Sequence, residues 1–114
     1  MVILLRPMER RSHERLHVNY QVRLFYGNMV YTGTVTNLSE NGMFIRTMMK
    51  FPVNLALITV LRAGERIFKI PIRIKRSVLP GNDSKKMEEF GLGVQILNHP
   101  VEYMELVSEM RALS

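Results

Sequence analysis

At 114 residues the chain is long enough for one domain with its own core and too short for two. Hydrophobic residues make up 46% and charged residues 23%, the balance of a soluble globular protein, which weighs against disorder and membrane spans; the absence of cysteine excludes disulfides and thiolate chemistry. The 16 Lys and Arg against 10 Asp and Glu leave +6, and 11 of the basic residues are arginine, whose planar fork suits a nucleotide, a nucleic acid or an anionic lipid face.

In chain order, the apolar run of "MVILLRP" stops at Arg6, short of the roughly 7 to 15 residues of a signal-peptide core, so a cytoplasmic protein without membrane insertion is expected. Residues 1–16 are arginine-rich and lack alternation after Leu5, which predicts a flexible arm ahead of a domain over 17–114. "VNYQVRLFY" (18–26) alternates Val18, Tyr20, Val22, Leu24 and Tyr26 on one side, and Gly27-Asn28 then predicts a two-residue hairpin turn into "MVYTGTVTN" (29–37). Strands follow at 43–49, 55–63 and 66–79. In the last of these Phe68, Ile70, Ile72 and Ile74 face one way, and Pro71 on the opposite side predicts an edge or a bulge. "PGNDSKK" (80–86) reads as a mobile loop, and "EFGLGVQIL" (89–97) as a final strand in which Gly91 and Gly93 predict a tight bend or a close approach of backbone.

The period then changes. Tyr103, Met104, Val107, Met110 and Leu113 recur at helical spacing, with Asn98 as a cap and Pro100 in the first turn of a helix over about 100–113. Six short strands without intervening helices predict an all-β fold, a six-stranded antiparallel barrel closed by a C-terminal α-helix.

Little in the chain supports catalysis. The three histidines stand without cysteine or an acidic cluster at ligand spacing, so no metal and no cofactor are expected. Ser39 has no histidine base near it in sequence, and neither a nucleophile elbow nor a phosphate-binding glycine loop occurs. The nine methionines read as core filler. Two patterns remain. R-x-x-x-R occurs at Arg6/Arg10, Arg11/Arg15 and Arg62/Arg66, and Asn37-x-Ser39-x-x-Gly42 sits in "TNLSENG", which by itself reads first as a turn whose glycine can take positive φ and only second as a site.

Together and in this order, Arg11-Ser12-His13-Glu14-Arg15 before the first strand and Asn37-Leu38-Ser39-Glu40-Asn41-Gly42 after the second resemble the PilZ domain, a small bacterial β-barrel family that binds cyclic di-GMP. Arg62/Arg66 lies across a later hairpin, in the wrong place. The resemblance implies a second-messenger sensor and not an enzyme, with Arg10, Arg11, Arg15, Asn37, Ser39 and Gly42 at the ligand and an unidentified downstream protein as partner. Arg10, directly before the first motif arginine, is associated in that family with capture of two ligand molecules per chain. The rival readings are a basic barrel that binds single-stranded nucleic acid through Tyr20, Phe25, Tyr26, Tyr31 and Phe44, and an adaptor of the same family that works without ligand.

Overall fold

The structure, a computed structural model, describes residues 14–79 and 89–113. Its strands are β1 (Leu16–Tyr26), β2 (Met29–Leu38), β3 (Gly42–Thr47), β4 (Ala56–Ala63), β5 (Arg66–Val78) and β6 (Phe90–Ile96), followed by one helix, α1 (Val101–Leu113). The strands close into an antiparallel barrel in the order β1-β2-β3-β6-β5-β4, so none is left as an edge. The fold is the one expected, with Leu16 transferred from the anticipated arm to the first strand. The loop expected at 80–86 and most of the arm lie outside the described residues.

Local chemistry explains the hairpins. Tyr26 pairs with Met29 across Gly27-Asn28, and Gly27 at φ 63 supplies positive φ at the first turn position alone, a type II′ arrangement whose twist matches the strands. Gly64 at φ 69 does the same between β4 and β5. The link from β3 to β4 has to cross the ring, because β3 neighbours β2 and β6 whereas β4 neighbours β1 and β5. Phe51 in that link is buried, with Tyr31 and Tyr26 edge-on to its ring at 5.3 and 6.1 Å.

Alternation places the core. Phe68, Ile70, Ile72 and Ile74 point inward from β5 to meet Leu24, Val35, Ile45 and Leu92, and each such side chain contributes roughly 1.5–3 kcal/mol on burial. Pro71 is at neither an edge nor a bulge: it pairs with Ile58 on β4, and the ladder to β6 begins one residue later at Ile72. Its missing N–H is therefore not demanded, and its carbonyl accepts from Leu97 N at 2.9 Å. The irregularity in β5 lies further on, between Ile74 and Arg76.

The helix covers the barrel through Tyr103, Leu106 and Val107, with Met104 and Met110 half-buried against the core. Leu106 joins the expected stripe and Leu113, 87% exposed, leaves it, because residues 103, 106, 107 and 110 already form one face and the last turn runs past the barrel. Pro100, not Asn98, ends the helix at its start: the Pro100 carbonyl accepts from Met104 N at 3.0 Å, while Asn98 and His99, at φ 61 and 38, turn the chain out of β6.

Candidate functional site

Asn37 is placed by two irregularities. The β1–β2 register shifts between His17 and Tyr20, and the β2–β3 register shifts between Val35 and Asn37, so the strand that carries Asn37 is bent at the barrel rim. There the Asn37 Oδ1 accepts a hydrogen bond from Arg15 Nη1 at 3.2 Å. The first residue of one motif and the last residue of the other thus meet across 22 positions of sequence.

Ser39 follows as a buried hinge. Its N–H donates to the Gly42 carbonyl at 2.8 Å and closes the turn, and its own carbonyl accepts from the Tyr103 hydroxyl at 2.6 Å. Burial, the largest influence, pushes the Tyr103 phenol well above its ordinary value, so it stays a donor. Glu40 is held by Arg111 in a two-pronged pair, Nε to Oε2 at 2.7 Å and Nη2 to Oε1 at 2.8 Å, and Arg111 Nη2 also donates to the Glu14 carbonyl at 2.7 Å. That contact with Glu40 raises the Arg111 pKa further. Asn41 Oδ1 stands 3.1 Å from His99 Nε2, and its carbonyl accepts from Ile96 N at 2.8 Å. The turn is therefore fastened to α1 and to the end of β6, and Arg111 brings Glu14, next to Arg15, to the same place.

Gly42 does not take positive φ, contrary to the sequence expectation. It is the first residue of β3, and a Cβ there would lie 2.6 Å from the Val94 carbonyl oxygen and 3.4 Å from Arg15 Nη2. The residue is glycine because backbone from β6 passes close on one side and a guanidinium on the other. Gly93 is bare for a similar reason. Arg76 lies across it, so that a Cβ would meet Arg76 Nε at 2.9 Å. At Gly91 the Phe44 ring occupies the equivalent space. The two β6 glycines thus mark close approaches and not a bend.

Between these groups runs a cleft of about 400 Å³ lined by Arg15, Ser39, Asn41, Gly42, Lys75, Arg76, Gly93, Val94 and Gln95. Gly42 and Gly93 let the Arg15 and Arg76 side chains lie close against the barrel wall, and the flanks of the cleft are cationic, an arrangement that suits a flat, anionic ligand, since guanidinium groups can both pair with phosphate and stack on rings. The sequence family model of the PilZ domain matches residues 9–111.

This chain belongs to the PilZ domain family.

Solved structures agree on the fold. The PilZ domain of YcgR from Escherichia coli, solved with c-di-GMP, superposes with a TM-score of 0.73 at 14% identity over 89% of this chain and 88% of that one. The K. pneumonia MrkH–c-di-GMP complex superposes at 0.74 with 15% identity over 98% of this chain and 52% of MrkH, and apo MrkH at 0.74 with 17% identity over 87% and 47%. The present chain therefore spans about half of MrkH. No curated protein sequence matches it.

Of the site residues expected of a PilZ domain, Arg15, Ser39 and Gly42 line the cleft and Asn37 holds Arg15 at its rim, while Arg10 and Arg11 lie outside the described residues. Arg66 is engaged elsewhere, 2.9 Å from Glu109 and 5.1 Å over the Phe68 ring. Sequence reasoning missed Lys75 and Arg76. The only sequence signal was Gly93, and it did not say which side chain fills the space, since the register shift between Ile74 and Arg76 brings the arginine opposite Gly93. Among the described residues no helix is long and apolar enough to cross a membrane.

Proposed function

We propose that this PilZ domain is a cyclic di-GMP sensor whose ligand lies in the cleft over Gly42 and Gly93. The observation that carries the reading is the junction of Arg15 with Asn37 in a cleft whose glycines let Arg15 and Arg76 lie close to the wall. Guanine presents O6 and N7 as an acceptor pair for an arginine fork and N1 and N2 as donors for the Asn37 amide oxygen. Arg15 spends one of its five N–H donors on Asn37 and keeps the others for the ligand. Arg76, stretched across Gly93, is set to stack on a base or meet a phosphodiester, and Lys75 adds charge at the same wall. No bond is made or broken in this scheme: the domain senses and does not turn over.

Arg11 supplies the second fork from the arm, and Arg10 beside it stacks on or bonds to a guanine of a second molecule, so that two ligands bind per chain. Ordering of the arm ahead of Glu14, within the expected 6–16 segment whose last residues already lie on the barrel, changes the surface offered to a downstream protein, and that ordering lowers the net affinity and keeps the response reversible. The support for the ligand comes from family membership and from the YcgR and MrkH structures described with c-di-GMP. Calorimetric titration of the purified chain with cyclic di-GMP, GTP, cyclic GMP and a single-stranded oligonucleotide tests it. Saturable heat with cyclic di-GMP alone is expected, and heat only with the oligonucleotide would transfer the cleft to nucleic acid.

A further inference from the structure

The outer wall of the barrel carries a second concentration of arginine, away from the cleft. Arg62 on β4, Gln21 on β1, Thr34 on β2 and Arg46 on β3 are successive partners in one cross-strand row. Arg23 stands in the next row between Val60 and Thr32. With Arg62 at one side and Arg46 at the other, these residues enclose a groove of about 430 Å³ that also contains Glu89. Arg46 pairs with Glu89 at 3.2 Å, Arg62 Nε donates to the Gly64 carbonyl of its own turn at 3.3 Å, and the Arg23 guanidinium has no hydrogen-bond or ion-pair partner among the described residues. One row further along the same face come Ile58, Phe25 and Val30, which are mutual register partners and 36%, 38% and 50% exposed.

Scattered apolar side chains on a surface need no explanation, whereas an apolar row bordering a groove in which three guanidinium groups face one carboxylate is the composition of a docking face. We propose that this groove binds an acidic peptide segment of a partner protein, with carboxylates on Arg23, Arg46 and Arg62 and an apolar side chain seated on Ile58, Phe25 and Val30. Charge complementarity selects the class, and Glu89 already displays a carboxylate on Arg46 inside the groove. Phe25 is the single aromatic ring in the apolar row, where a base-stacking surface needs several, and this favours a peptide over a nucleic acid. Exposed ion pairs contribute little one at a time, so the apolar row serves as the anchor and the arginines set polarity and partner choice. On β3, four residues of extended chain, about 13 Å, separate Gly42 in the cyclic di-GMP cleft from Arg46 in this groove, and the two share no lining residue. The proposal stands independently of the ligand reading.

The full chain, isotopically labelled, is titrated with a synthetic peptide of alternating glutamate and leucine while amide resonances are followed. Shifts are expected at Gln21, Arg23, Thr32, Thr34 and Arg62 and not at Asn37 to Gly42. Arg23→Glu and Phe25→Ser, both at exposed positions, are each expected to weaken binding by about tenfold or more, with melting temperature confirming that they fold; Arg62→Glu serves where either does not. A peptide with glutamine for glutamate is expected to bind more weakly. Shifts centred on residues 37–42, equal affinity in the folded variants, or tighter binding of oligothymidylate than of the peptide would each overturn the proposal.

Discussion

A Cβ at Gly42 has nowhere to go, and the consequence is stronger than a turn argument would allow. Because the obstacle is the Val94 carbonyl oxygen at 2.6 Å, Gly42→Ala already forces backbone apart, and Gly42→Val is expected to cost about 1–3 kcal/mol in urea unfolding while also displacing the Arg15 guanidinium. Arg15→Ala separates the two effects. Its hydrogen bond to Asn37 is exposed, so melting should change little, yet loss of charge-assisted bonds of roughly 1.5–3 kcal/mol lowers cyclic di-GMP affinity about 10- to 150-fold in the calorimeter. Tyr103 gives a prediction in pH. Its phenol is raised in the folded state above the ordinary 10.0, so the stability it supplies is complete below that pH and is lost as pH climbs through it toward the folded value. Tyr103→Phe leaves the Ser39 carbonyl without this donor and should lower stability by about 1–3 kcal/mol at neutral pH, with a smaller alkaline loss than the parent in denaturation series from pH 8 to about 11.

At the scale of elements, α1 acts as a clamp on the turn between β2 and β3. Arg111 sits in its last turn, where a cation also favours the helix dipole, and reaches Glu40 and the Glu14 carbonyl together. One side chain thus joins the helix, the Asn37–Gly42 turn and the entry to β1. Arg111→Ala should accelerate hydrogen exchange at residues 38–42 and weaken cyclic di-GMP binding, although Arg111 is not among the residues lining the cleft. Unchanged exchange in that turn would show that Tyr103 and the Asn41 contacts with His99 and Ile96 hold it without Arg111.

For the molecule as a whole, barrel closure makes each outer wall a product of register, and β3 passes both arginine-bearing faces, with Gly42 at the cleft and Arg46 at the groove. Occupancy belongs to this scale too. If Arg10 engages a second ligand, titration gives a ratio near two for the parent and near one for Arg10→Leu, with Arg11 and Arg15 retaining the remaining molecule; a ratio near one for both removes Arg10 from the site. Under saturating conditions, at about 100 times the dissociation constant, one bound ligand stabilises the fold by about 2.7 kcal/mol, so thermal shift should follow the same order.

What the sequence alone determined was local in origin. Alternation in 66–79 placed Phe68, Ile70, Ile72 and Ile74 inward because side chains on a strand face opposite ways, and Gly27 marked the first hairpin because few other residues accept its φ. The motif pair was legible for the same reason, since each half is a short pattern beside a strand end. Other assignments needed the tertiary structure. Leu106 and Leu113 differ only in whether barrel lies beneath them, and Pro71 is tolerated because the β6 ladder starts one residue later. The role of Gly42, the arrival of Arg76 over Gly93, and the meeting of Arg23, Arg46 and Arg62 in one groove all depend on which strands are neighbours and in what register. Those partners are far apart in sequence, and no period along a single strand encodes the offset of the strand beside it.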